Sequence, residues 1–418
     1  MTILESQADL SAAIQAVAEA GYQLRVAGVD VQSQLLERLA SQLEAAQDEI
    51  LEANTLDLEA SLDMAVPELV LDWLKLTPER LHIVSRILRR LAALGDPRRF
   101  NVLPLNRLTK TVTGYSQVVP LGVIAFVYEA LPELAVIMAG FCLRTGNGLI
   151  LKGGNEASQT HQVLLQVLHR CLDHLNLSPA SILSLAEDQG DAARSWLLQS
   201  QGVDLVIPYG RPSLVKQVVR QATVPVLPTA MGNCYLYWSA SGSLDKVTQM
   251  VLDSHRGDPD AVNAIEKVLI PTHCSVSAVA QLCNVLWDNG FDLLGDEPMV
   301  AELPDLKLAQ PTDWDQPFLS KTVALARVDG LTAAAHWMNR HSSGHANSLV
   351  TEVYQEVGQF TRLVNSAVVY INTSPRFVRN GPQADAIALG MTAQQGRCQG
   401  FIGLQALLTN QHILQGFD

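Results

Sequence analysis

The polarity pattern changes period along the chain. From Asp9 to Leu94 the apolar residues recur at helical spacing: Leu35, Leu36, Leu39 and Leu43 form one stripe, with Glu37, Arg38 and Glu44 facing away from it. Thr77-Pro78-Glu79 predicts a helix start, with Thr77 as cap and Pro78 in the first turn. Leu81, Val84, Ile87, Leu88 and Leu91 continue the apolar face until Gly95-Asp96-Pro97 ends it. Between Thr109 and Val119 β-branched residues alternate with polar ones, which predicts an extended strand or hairpin arm. Such a segment serves either as an edge between subunits or as a strand within one.

After Pro120 strand and helix patterns alternate. Strands are predicted at Leu121–Tyr128, Gly148–Lys152, Ser181–Leu185, Val203–Ile207 and Val224–Leu227. Helices are predicted at Ala135–Arg144, Ala157–Leu175, Asp191–Gln199 and Ser213–Gln221. This alternation implies a parallel sheet covered on both faces, with any ligand beyond the strands' carboxyl ends. A second α/β unit follows. Its predicted helices are Leu244–Leu252, Ser275–Trp287 and Leu331–Arg340, and its strands Val268–Pro271, Thr322–Val328, Ser348–Thr351 and Ala367–Asn372. Leu303–Trp314 reads as loop with weak strands, and the tail after Ser374 as an arm rich in Gly, Gln and Ala.

Composition narrows the class. A hydrophobic share of 48% and a charged share of 17% are globular, and a formal charge of −13 argues against a nucleic-acid groove. The N-terminus lacks a basic region before its apolar residues, and the apolar runs are too short to span a bilayer, so the expected place is the cytoplasm. Cys142, Cys171, Cys234, Cys274, Cys283 and Cys398 form no CxxC pair and read as buried free thiols.

The segment Asp253–Ile270 reads as a polar loop, a helical start and an apolar run. It resembles the nucleophile loop of the γ-glutamyl phosphate reductases (glutamate-5-semialdehyde dehydrogenases), whose pattern is Gln-Arg-Pro-x-x-Cys-Asn-x-x-Glu-x-Leu-Leu-Val. Pro259, Asn263, Glu266, Leu269 and Ile270 fall on that pattern, Gly257-Asp258 replaces the Gln-Arg, and Val262 stands in the cysteine's place. The resemblance extends along the chain through Val119–Ile124, Tyr128-Glu129-Ala130, Thr145–Gly154, Thr223–Val226, Gly232–Cys234, His341–His345, Asn365–Asn372 and Arg376-Phe377. It implies an α/β, aldehyde-dehydrogenase-like fold in three parts. A Rossmann-like cofactor domain with helical lead-in covers 1–108 and 120–234. A catalytic-type α/β domain covers 235–374. A small β oligomerisation arm and tail cover 109–119 and 375–418.

In the family so resembled, a thiolate attacks L-glutamyl 5-phosphate, phosphate leaves, and NADPH reduces the thioester to L-glutamate 5-semialdehyde on the way to proline. Carried over, the resemblance places catalysis at Val262, Asn263 and Glu266, and NADPH at Lys152, Gly153 and Gly154 with Pro208 and Gly210. Valine has no nucleophilic lone pair, so the expectation is an impaired or inactive relative; the alternative is an active reductase with another nucleophile. Cys234 reads as a core strand residue, and Cys398 as relaxed sequence. Other departures agree: Leu131-Pro132-Glu133 replaces Arg-Pro-Asn, and Tyr209-Gly210-Arg211 replaces Arg-Gly-Gly. Lost cations weaken the hold on a carboxylate and a phosphate, although Arg211 or Arg256 offers a neighbouring charge. Lys152 can reach a ribose or 2′-phosphate, or simply end a strand before a turn. Glu266 either orients the loop or is a first-turn carboxylate favoured by a helix dipole; the second is the preferred reading. His341 and His345 read as a polar loop, with no metal expected. The expected partners are further copies of the chain through the β arm, and glutamate 5-kinase or an active paralogue.

Overall fold

The computed structural model describes residues 6–97, 103–109, 112–186, 190–256, 259–381, 387–394 and 398–416; Gly257, Asp258 and part of the Gln394–Gly400 run lie outside them. Two compact units emerge. One comprises Met1–Pro228, Asn380–Leu389 and Ile402–Asp418, the other Thr229–Arg379 and Gly390–Phe401.

In the first unit the helical stretch becomes α1 (Gln7–Ala45), α2 (Gln47–Asp63), α3 (Glu68–Leu74) and α4 (Pro78–Ala93). The Leu35, Leu36, Leu39 and Leu43 stripe is fully buried. Thr77 caps α4, its hydroxyl accepting from the Arg80 amide at 3.2 Å. Gly28, at φ 84°, interrupts α1 midway. Gln32 bridges the break, its Nε2 donating to the Leu24 carbonyl at 3.2 Å.

The predicted arm is a hairpin of β1 (Leu103–Thr109) and β2 (Val112–Pro120). The C-terminal strand Leu408–Gly416 pairs antiparallel with β2, giving a three-stranded sheet. A parallel sheet then grows from β3 (Val123–Tyr128), α5 (Glu133–Thr145), β4 (Gly148–Lys152), α6 (Ser158–His174), β5 (Ile182–Ser184), α7 (Gly190–Gln199), β6 (Leu205–Tyr209) and α8 (Pro212–Gln221). Its order is β5-β4-β3-β6. The strand predicted at Val224–Leu227 does not form; only Val206 and Val226 bridge. Pro225 has no N–H to extend a ladder, so the segment makes one pair of bonds to Val206 and leaves.

Two features lock helices to this sheet. A Cβ on Gly148 would lie 2.7 Å from the Val17 carbonyl oxygen, so α1 and β4 touch backbone to backbone. Asp57, buried in α2, accepts from the Gln159 and Thr160 amides at 3.0 and 2.8 Å and from the Thr160 hydroxyl at 2.6 Å, which caps α6 from outside it.

The second unit runs β7 (Cys234–Trp238), α9 (Leu244–Ser254), β8 (Ile265–Pro271), α10 (Val276–Asp288), β9 (Asp292–Gly295), α11 (Glu297–Glu302), β10 (Lys307–Leu308), β11 (Thr322–Val328), α12 (Gly330–His341), β12 (Ala346–Val350), α13 (Tyr354–Leu363) and β13 (Val368–Ile371). The seven strands are parallel, in the order β10-β9-β11-β8-β7-β12-β13. A short antiparallel pair, β14 (Met391–Thr392) with β15 (Gly400–Phe401), belongs to the same unit. Among the described residues no helix is long and apolar enough to cross a membrane.

The Gly148 contact yields a stability test. Gly148→Ala forces a methyl group against the α1 backbone, and overpacking of this kind costs about 1–3 kcal/mol. Urea unfolding should show that loss, and an unchanged midpoint would mean that α1 moves aside freely.

Candidate functional site

The loop around Val262 is not helical. Ala261 has a φ of 32°, the Ala264 amide donates to the Ala261 carbonyl, and β8 begins at Ile265. The helical start expected over this segment is therefore a tight turn into a strand. The reason lies in a β-bulge: Cys234 pairs with Ile265 and Tyr235 with Lys267, which leaves Glu266 without an opposite residue. The extra residue flips the strand's phase. Ile265, Val268 and Ile270 then face one apolar cluster, while Leu269 faces another. An apolar spacing of three, which imitates a helix, here comes from a bulged strand.

Glu266 is correspondingly not a first-turn carboxylate. It is fully buried and accepts from the backbone amides of Asn233 (2.7 Å), Phe318 (3.0 Å) and Leu319 (2.8 Å). The ammonium of Lys267, also fully buried, lies 3.3 Å from it and donates to the Gln316 carbonyl at 2.7 Å. Burial lowers the Lys267 pKa, and the Glu266 carboxylate opposes that shift.

Val262 is 1% exposed. Its carbonyl accepts from the Gly232 amide at 2.9 Å and faces His345 Nε2 at 3.0 Å. Asn263 is buried beside it and donates from Nδ2 to the Pro375 carbonyl at 2.9 Å and the Tyr370 hydroxyl at 3.3 Å. Asp260, one turn earlier, forms a buried ion pair with Arg379. The loop is thus pinned on every side by hydrogen bonds and charge, and the position expected to carry sulfur carries an isopropyl group.

Cys234 is the thiol next to this loop. It opens β7, is fully buried, and its Sγ lies 3.3 Å from His345 Nε2. His345 is not the loop-surface histidine expected from its Ser-Gly neighbours; it is fully buried, with Nδ1 2.8 Å from the Ser343 hydroxyl. The Ser343 hydroxyl donates to the Gly232 carbonyl at 2.9 Å, so Ser343, His345, Cys234 and the Val262 carbonyl form one buried hydrogen-bonded cluster. Burial, and next the Glu266 carboxylate, push the Cys234 thiol well above its usual range. Cys234 is a structural thiol. Cys398 is raised by burial too, and its Sγ faces the Phe401 carbonyl at 3.5 Å. His341, at the end of α12, binds Asp315 at 2.8 Å. Among the described residues no group of three or more His, Cys, Asp and Glu can hold a metal ion.

In the first unit, Lys152, Gly153 and Gly154 line a cleft of about 220 Å³ at the carboxyl ends of β3 and β4, with Glu129, Glu156 and Arg194. Pro208 lies in β6 beside Val127 and does not line it. The space beside each glycine is taken by the chain's own side chains. A Cβ on Gly153 would strike the His161 ring, one on Gly154 the Glu156 carboxylate, and one on Gly210 would lie 2.9 Å from Glu129 Cβ. These glycines make room for the chain's own side chains. The Ala130 amide donates to Glu156 at 2.6 Å, and the Arg211 amide to Glu129 at 3.1 Å. Arg211 adds its Nε to both Glu129 oxygens, at 2.9 and 3.0 Å. Lys152 Nζ donates to the Ala186 carbonyl at 3.1 Å. Glu129 and Glu156 carried no assigned role in the sequence reading, although Glu129 sits in its Tyr-Glu-Ala motif; their role depends on Arg211 and Ala130 lying close in space.

Residues 3–233 match the aldehyde dehydrogenase family. The chain is 42% identical over 419 residues to gamma-glutamyl phosphate reductase 2 of Synechocystis sp., covering 100% of this chain and 99% of that protein. It is 34% identical over 394 residues to gamma-glutamyl phosphate reductase of Gloeobacter violaceus, covering 92% of each. The crystal structure of gamma-glutamyl phosphate reductase from Thermotoga maritima superposes with a TM-score of 0.88 at 26% identity over 98% of both chains.

The buried imidazole makes a pH prediction. Burial pushes the His345 pKa down from 6.5 to about 4, against the pull of the Val262 carbonyl. Between those values the unfolded chain binds a proton that the folded chain does not. The stabilisation is complete above about 6.5 and is lost as pH falls through that window, roughly 3 kcal/mol in all. Urea titrations at neutral pH and near pH 4.5 should therefore show a smaller acid loss in His345→Gln than in the wild type, by about 2–3 kcal/mol. Parallel pH profiles would assign the acid sensitivity elsewhere.

Proposed function

Because the chain belongs to the γ-glutamyl phosphate reductase family, we propose that it keeps the reductase scaffold without the reductase's covalent chemistry. Reduction of an acyl phosphate through a thioester needs a thiolate at the reacting carbon. One observation carries the reading: Val262 occupies the nucleophile position in a loop held by Gly232, His345 and Asn263 contacts. Cys234, the neighbouring thiol, is fully buried, and burial, and next the Glu266 carboxylate, hold it well above its usual range. The expected cofactor, NADPH, would enter a cleft lined by Lys152, Arg194 and the carboxylates of Glu129 and Glu156.

A non-catalytic member acts by association. The C-terminal strand Leu408–Gly416 is the edge of its three-stranded sheet and exposes Leu414 by 58%, which supports pairing with a second copy of the chain. Glutamate 5-kinase, which makes the family's substrate, and a cysteine-bearing paralogue are the hetero-partners to test by co-purification.

The catalytic test uses L-glutamyl 5-phosphate generated in situ. Intact mass spectrometry should find no acyl adduct on the wild-type chain and an acyl adduct on Val262→Cys. NADPH oxidation by the wild type should be undetectable, since losing a covalent nucleophile costs on the order of 10⁶-fold. Turnover or acylation of the wild-type chain, at any residue, would establish the alternative of an active reductase with a different nucleophile.

A further inference from the structure

Helix α9 carries apolar residues on two faces. Val247, Met250 and Val251 turn into the core of the second unit. A second row, Leu244, Thr248 and Leu252, recurs one turn apart and is only half-buried. Beside this row Val285 of α10 is 37% exposed. Together they floor a groove of about 390 Å³ that follows α9 along its length. The groove's rim is charged at its two ends, by Asp245 in the first turn of α9 and Arg256 just past its last. Both are exposed, and neither has an ion-pair partner among the described residues. About 16 Å separates them along the helix, too far for one small molecule to touch both. An elongated occupant of opposite polarity can. A helix with a cation and an anion at this same spacing, lying antiparallel to α9, answers both ends at once, and α9 is itself such a helix.

We propose that α9 packs antiparallel on the same helix of a second copy of the chain, across a two-fold axis that passes between Met250 and Val251. That axis maps the groove's lining onto itself. Asp245 meets Arg256 of the partner subunit, and by symmetry the pair forms twice. Thr248 meets Asp253 of the partner subunit, a hydroxyl against a carboxylate, and Gln249 covers Leu252 of the partner subunit. Self-complementarity of this kind is what a closed isologous contact requires. Val285 lies where the incoming helix would pack, at the usual interaxial distance of about 8–10 Å. An axis through Gln249 would instead oppose Asp245 to Asp253 of the partner subunit, two carboxylates, so charge fixes the register. The contact is independent of Val262 and of any catalysis. It is also separate from the edge of the β arm: a copy engaged through both faces has two neighbours, and the assembly then exceeds a dimer.

The experiment is analytical ultracentrifugation of the full chain at micromolar concentration, comparing wild type, Asp245→Arg, Arg256→Asp and the double variant that swaps both charges. Both positions are exposed, so each variant should keep the wild-type circular dichroism and melting temperature. The wild type should sediment as a dimer or a multiple of one. Either single reversal sets like charges together twice, weakens association at least about tenfold and should halve the mass. The double variant restores both pairs and should recover the wild-type mass, and raised salt should weaken the wild type and the double variant alike. A monomeric wild type overturns the proposal. So does a mass that the single reversals leave unchanged, the result expected of association through the β arm alone, and so does a double variant that associates no better than the singles.

Discussion

Burying the Glu266 carboxylate organises the second unit. An ionised carboxylate removed from water is tolerated only where donors replace its hydration. Here the donors are the backbone amides of Asn233, Phe318 and Leu319 and the Lys267 ammonium, from three separate stretches of chain. Each amide would otherwise be an orphan near a strand end or turn, and both Asn233 and Leu319 hold positive φ angles of 54° and 53°. The carboxylate thereby fixes the entrance to β7 against the loop that carries Phe318, whose ring lies 3.8 Å from the Lys267 ammonium. The bulge that sets Glu266 outside the ladder is what frees its side chain to do this. Val262 is fixed with it: its carbonyl receives the Gly232 amide three residues before the strand begins at Ile265.

The same solution recurs in the first unit. Asp57 satisfies the first amides of α6, Asp204 takes the Val123 amide at 2.8 Å, and Glu129 and Glu156 take those of Arg211 and Ala130. Where the amides lie inside the fold, as at α6 and β3, an internal carboxylate simply closes a helix or strand end. Glu129 and Glu156 do the same from positions that themselves line a cleft.

Most of the architecture was legible because it rests on local periodicity. The strand Gly148–Lys152 and the strand Thr322–Val328 appear with the boundaries read from their apolar runs, and Thr77 caps the helix its sequence announces. The failures share a cause. β9 is only Asp292–Gly295, α11 only Glu297–Glu302, and α13 exposes most of its length, burying Phe360. Elements that short carry too few turns or alternations to stand out from loop. The Ile265–Ile270 phase slip was misleading for a stronger reason: a bulge is a property of two strands, and its partner, Cys234–Trp238, lies in a distant part of the chain. The family loop was readable from residue identities. The pairings of Glu129 with Arg211 and His345 with Val262 were not, since each joins residues more than eighty apart.

What remains is why a scaffold should outlast its nucleophile. In a buried, neutral setting a cysteine contributes as a small apolar residue, and Val262 is buried among groups that bind its backbone and not its side chain. Replacing sulfur by a methyl-bearing carbon there leaves each of those hydrogen bonds in place and adds apolar burial. The substitution is invisible to folding, because Glu266, Asn263 and His345 hold the loop through atoms that every residue shares or through their own side chains. Selection for a stable fold therefore cannot preserve the nucleophile; only selection for turnover can.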